Sequence, residues 1–68
     1  QKLSEGMSGP KVLWLQELLQ QSGYLVEPTG LFESNTYDEI VRFQNENGLN
    51  ANGVAGTQTK ALLYQMAG

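Results

Sequence analysis

Sixty-eight residues make one small domain, too short to enclose an ordinary catalytic cleft together with its support. With no cysteine and no histidine, disulfide staples, thiolate nucleophiles, imidazole bases and the usual zinc ligand sets are excluded, so stability must come from packing alone. Four Lys and Arg against seven Asp and Glu give a net charge of −3, a poor complement to duplex DNA, RNA or an anionic membrane surface.

No apolar run approaches transmembrane length, so direct membrane insertion is not expected. Gln1 reads as a cut within a longer protein, so the missing signal peptide carries no weight. Residues 1–7 form a leading segment with Leu3 as its anchor. Ser8 is a good N-cap and Pro10 fits a first helical turn, predicting helix 1 over about 9–21. Val12, Leu15, Leu18 and Leu19 form its apolar stripe. Trp14 lies off the centre of that stripe, either packed on the leading segment or partly exposed for a ligand. Gly23 suits the left-handed position that ends the helix.

Tyr24 to Pro28 is an extended connection, and Pro28 argues against a central strand. A short two-stranded contact between Gly23-Tyr24 and Gly48-Leu49 would join the two loops. Helix 2 is predicted over about 34–47 with Ser34 as N-cap, and Thr36 with Glu39 offers an alternative capping box. Tyr37, Ile40, Val41 and Phe43 supply its apolar face, and Gly48 ends it. Helix 3 follows over about 57–66, capped by Thr57, with Leu62, Leu63 and Met66 buried and Tyr64 half-exposed.

A partial internal repeat orders these elements. Thr29-Gly30-Leu31-Phe32-Glu33-Ser34-Asn35-Thr36 returns as Asn52-Gly53-Val54-Ala55-Gly56-Thr57-Gln58-Thr59, and Leu15-Gln16 in the preceding helix returns as Phe43-Gln44. Each copy turns at a glycine and then starts a helix. The expected fold is therefore all-α, a compact three-helix bundle with two long loops. Catalysis is not expected: Asp38 and Glu39, as helix neighbours, diverge by about 100° and cannot flank one bond. No cofactor and no metal are expected either.

Leu3, Gly6, Ser8-Gly9, Val12, Leu15-Gln16, Leu19, Gly23-Tyr24, Gly30-Leu31-Phe32, Thr36, Val41, Phe43-Gln44, Gly48-Leu49, Gly53-Val54, Gly56, Thr59 and Leu62, in that order, resemble the peptidoglycan-binding domain found beside many bacterial cell-wall hydrolases. Nearly the whole chain as one domain, 1–68, takes part in the resemblance. Gly9 to Leu15 is also similar to the version appended to ATPases of the general secretion pathway. The family's usual aspartates before the signature glycines are here Thr29 and Asn52, and a usual glycine is Glu33, which makes the first loop atypical.

The resemblance implies a non-catalytic module that tethers a larger envelope protein, hydrolase or secretion ATPase, to peptidoglycan, in the periplasm or at the cell wall. Its partners would be peptidoglycan and the rest of the parent polypeptide. Sugar rings, amides and carboxylates call for aromatic faces, amide side chains and a cation. Trp14, Tyr24, Asn35, Arg42, Gln44 and Asn47 are the candidate ligand residues on that basis. Phe32 is assigned to the core, and Gln16 with Gln44 has a competing structural role, tying a loop backbone to its helix. A docking or pro-domain module on the same scaffold is the alternative function.

Overall fold

In the computed structural model, which describes residues 1–67, three helices carry the fold: α1 (Pro10–Gln21), α2 (Ser34–Glu46) and α3 (Thr57–Ala67). Helix α1 packs against both others. Its Val12, Leu15, Leu18 and Leu19 meet Leu3, Tyr24, Val26, Phe32, Ile40, Phe43, Ala55 and Leu63 in one apolar core. Each large aliphatic or aromatic side chain fully buried there stabilises the fold by about 1.5–3 kcal/mol. The bundle is thus held by one long stripe on α1 and by the anchors its loops insert. Phe32 is fully buried, as its place after a turn glycine predicts.

Both α1 and α2 end in the same way. Tyr24 N–H returns to Leu19 C=O at 2.9 Å and Gly23 N–H to Gln20 C=O at 3.0 Å, with Gly23 at φ +95°. In α2, Leu49 N–H bonds Gln44 C=O at 2.8 Å and Gly48 N–H bonds Asn45 C=O at 3.4 Å. This left-handed stop throws the following apolar residue, Tyr24 or Leu49, back onto the core.

The helix starts differ from the expected caps. Ser8 does not cap α1: it pairs with Leu31 in an antiparallel bridge, and Gly9 takes the N-cap position at φ +124°. Ser34 is the first residue of α2, with extended Glu33 as its N-cap and no side-chain cap bond. Thr57 likewise lies inside α3, where Lys60 N–H reaches Gly56 C=O at 2.9 Å. The leading segment causes the shift at α1 by holding the backbone around Ser8 extended. It also replaces the expected contact between the two loops. Leu3 pairs with Ala55, and Phe32 N–H bonds Met7 C=O at 2.9 Å, so residues 3–9 clasp both junctions. On α3 only Thr59 and Leu63 are buried, Leu62 is half-buried, and Met66 is exposed rather than part of the buried face, because one neighbouring helix covers only a narrow stripe.

Two buried glutamines tie the helices to the junctions. Gln16 Oε1 accepts the Gly30 N–H at 2.7 Å, while its Nε2 donates to Leu31 C=O and to Thr36 Oγ1, both at 2.9 Å. Gln44 repeats this: Oε1 accepts Gly53 N–H at 3.0 Å, and Nε2 donates to Val54 C=O at 3.0 Å and Thr59 Oγ1 at 3.1 Å. At the two turns Thr29 Oγ1 accepts Leu31 N–H at 3.1 Å, just as Asn52 Oδ1 accepts Val54 N–H at 2.9 Å.

Replacing Gln44 by leucine keeps the volume but strands the Gly53 N–H and the Thr59 hydroxyl, while Val54 C=O still accepts Gly56 N–H at 3.0 Å. Each costs about 1–3 kcal/mol, so a loss of roughly 2–4 kcal/mol and a fall in Tm on the order of 10–20 °C are expected for Gln44→Leu by circular dichroism. An unchanged melting temperature would show that the carboxamide is not holding the second junction.

Candidate functional site

Tyr24, Asn35 and Arg42 come together beside the first connection. Tyr24 is buried, its ring edge-on to Phe43 with centroids 5.7 Å apart, and its hydroxyl donates to Glu46 Oε1. The Arg42 guanidinium lies 5.4 Å from the Tyr24 ring centroid and pairs at 3.4 Å with both Glu39 and Glu46. Glu39 in turn accepts Leu25 N–H at 3.2 Å. Asn35 accepts Glu27 N–H at 3.1 Å and donates to Leu25 C=O at 3.0 Å. These side chains spend their polar atoms on pinning the chain's own loop to α2. A groove of about 480 Å³ remains above them, lined by Gln20, Tyr24, Leu25, Glu27 and Asn35.

The other candidates stand elsewhere. Gln44 is buried with its carboxamide committed to the second junction, so the structure gives it the structural role. Asn47 donates to Phe43 C=O at 2.8 Å and closes the end of α2. Trp14 is 39% exposed on α1, the partly exposed alternative rather than the packed one. Tyr37, expected on the apolar face of α2, is instead more than one-third exposed and shields Gly53: a β-carbon there would stand 2.1 Å from its Cε1.

A second groove, of about 460 Å³, follows the second junction and contains no residue from the ligand set except buried Gln44. Its walls are Lys2 and Ser4 from the leading segment, Leu49, Asn50, Asn52 and Val54 from the loop, and Gly56 to Thr59 at the start of α3. They carry amides, hydroxyls and one ammonium, with no carboxylate and no aromatic ring. Lys11 and Lys60 both donate to Gln1, the residue before Lys2. Glu27, Glu39 and Glu46, by contrast, border the first connection. The signal that would have found this groove is a comparison of the repeat wall by wall, Glu27 with Asn50 and Glu33 with Gly56.

Among the described residues no cluster of three or more His, Asp or Glu is placed to hold a metal ion, and no helix is long and apolar enough to cross a membrane.

The chain belongs to the peptidoglycan binding domain family, whose sequence profile matches residues 8–63. It is 38% identical over 66 residues to a spore cortex-lytic enzyme of Bacillus cereus, a match covering 96% of this chain and 26% of that enzyme. Among solved structures, the N-terminal domain of SleB superposes with TM-score 0.94 at 35% identity, over 100% of this chain and 94% of that one. A peptidoglycan-binding protein of Clostridioides difficile, crystallised with glutamine hydroxamate, gives TM-score 0.96 at 34% identity, over 98% of this chain and 42% of that one. A Burkholderia phage AP3 endolysin matches at TM-score 0.90 and 33% identity, over 93% of this chain and 24% of that one. The chain therefore spans about a quarter of the curated lytic enzyme it matches.

Burial, reinforced by the Glu46 carboxylate, pushes the Tyr24 phenol up from 10.0 to about 12, while the Tyr24 hydrogen bond holds Glu46 below the usual carboxylate value. A phenol that ionises later in the folded state contributes stability in full below pH 10, and this is lost as pH rises from 10 towards 12. The Glu46 contribution is present above the ordinary carboxylate value and is lost as the pH falls through its lowered one. In an ultraviolet titration of the folded domain, one phenolate step is expected near pH 12 and should vanish in Tyr24→Phe. An identical curve for that variant would contradict the buried pairing.

Proposed function

We propose that this domain is a non-catalytic module that tethers a larger bacterial envelope protein to peptidoglycan, with the ligand in the groove at the second junction. The observation that carries this reading is the chemistry of that groove: in an acidic chain, it is walled by amides, hydroxyls and Lys2 with no carboxylate. Peptidoglycan stem peptides carry amides and free carboxylates, which such walls can pair. The first groove, edged by Glu27 and close to Glu39, would repel the same carboxylates.

Family membership and similarity to a lytic enzyme and an endolysin support a parent protein that works on or at the wall, whether a hydrolase or a secretion ATPase. The wall itself then places the domain in the periplasm or at the cell exterior. A non-catalytic role is supported by the carboxylates: Glu39 and Glu46 are engaged by Arg42, and Asp38 diverges from Glu39 around α2. One shallow groove with a single cation gives modest affinity, and the attached partner domain raises retention through effective concentration.

The domain should co-sediment with purified sacculi, and Lys2→Glu should lower its retention severalfold with an unchanged melting curve. Retention equal to that of an unrelated acidic domain would overturn the reading.

A further inference from the structure

The two copies of the repeat build two grooves from equivalent positions. A small groove at the first junction, separate from the one beside Tyr24, is lined by Glu27, Thr29, Leu31, Glu33, Asn35 and Thr36; the same six places one repeat later, Asn50, Asn52, Val54, Gly56, Gln58 and Thr59, line the second groove together with Lys2 and Ser4. Backbone bonds confirm the alignment: Thr29 N–H to Glu27 C=O and Asn52 N–H to Asn50 C=O are both 2.9 Å.

In the first copy the Asn35 carboxamide is spent on the chain's own loop. Asn35 accepts from Glu27 N–H and donates to Leu25 C=O, two groups that an extended backbone presents on one edge. A neighbouring strand would bond that edge in the same way, so the Asn35 carboxamide acts as a short piece of strand. The first connection is long enough to supply this segment, running from Gly23 to Gly30.

The second connection runs only from Gly48 to Gly53 and is shorter by two residues. Gln58, the counterpart of Asn35, is exposed and makes no hydrogen bond among the described residues. The backbone N–H of Asn50 is likewise unused and exposed. Where Glu33 stands in the first copy, Gly56 leaves the floor open, and the groove is about 460 Å³ against about 210 Å³. Lys2 sits at its rim, with Cγ 4.0 Å from where a Gly56 β-carbon would be.

Resting on the wall-binding reading, we propose that the second groove docks an extended peptide main chain bearing a free carboxylate, the chemistry of a peptidoglycan stem peptide. Gln58 and the Asn50 N–H, the counterparts of the mutually bonded Asn35 and Glu27 N–H, are left to bond the peptide, and Lys2 pairs its carboxylate. The peptide is favoured over the glycan because sugar rings are commonly held on aromatic faces, and this groove has none. Side chains alternate along an extended peptide, so the contact reads the backbone and tolerates variation in the outward residues.

The test is a nitrogen-15 NMR titration with a sugar-free stem tetrapeptide and, separately, with glycan strands stripped of peptide. The tetrapeptide should shift the Gln58 side-chain amide and the Asn50 backbone amide while leaving the Asn35 side chain in place, and stripped glycan should shift neither. Gln58→Ala should weaken the tetrapeptide about tenfold at unchanged Tm, the loss expected for two hydrogen bonds at a solvated site. Capping the peptide's terminal carboxylate as an amide should weaken wild type but not Lys2→Gln. If sacculi retain the domain while Gln58→Ala binds the peptide normally, or stripped glycan moves the same amides, the peptide track is wrong and wall binding stands. If sacculi do not retain the domain at all, the wall-binding reading fails with it.

Discussion

Two buried carboxamides, Gln16 and Gln44, set the geometry on which the rest depends. A turn that starts a helix at the edge of the core presents a glycine N–H, a carbonyl and a buried threonine hydroxyl to the helix before it. A glutamine rising from the previous helix meets all three, because its carboxamide offers an acceptor and two donors on one rigid plane. Each unmet group would cost about 1–3 kcal/mol, a large fraction of what a domain this small retains. The helix starts, the loop paths and the groove walls are therefore fixed from inside.

This shared scaffold then serves two ends. In the first copy the longer connection is bonded to α2 by Asn35 and Glu39 beside the Tyr24–Arg42–Glu46 cluster, and acidic residues border it. In the second copy the connection is shorter, carboxylates give way to Asn50 and Gly56, and Lys2 supplies a positive rim. The exposed ion pairs of Arg42 add little to stability at 3.4 Å on the surface, and their effect is to neutralise the cation locally.

Much of the fold is legible in the chain. Helical spacing, the glycines at 23 and 48, and the repeated junctions are local signals, and local signals place three helices within a residue or two. The burial of Phe32 and the structural use of Gln16 also follow from position in the repeat. What escapes is the work of residues 3–9, whose bridges to Leu31 and Ala55 are long-range in sequence and override the capping preference of Ser8. Met66 escapes because helical spacing gives a face but not the width of the neighbour that covers it.

The site is less legible for a related reason. Tyr24, Asn35 and Arg42 stand out as polar or aromatic residues near a loop, yet the sequence does not show that Asn35 bonds the loop backbone or that Tyr24 and Arg42 pair with Glu46 and Glu39 of α2. Gln58 and Asn50 look ordinary alone and gain meaning only beside Asn35 and Glu27. The most direct measurement is a crystal structure of the domain with a soluble peptidoglycan fragment carrying its stem peptide. Peptide density running between Gln58 and Asn50, with its carboxylate at Lys2, is the expected result, and a fragment seated on the Tyr24–Arg42 side with the second groove empty would contradict it.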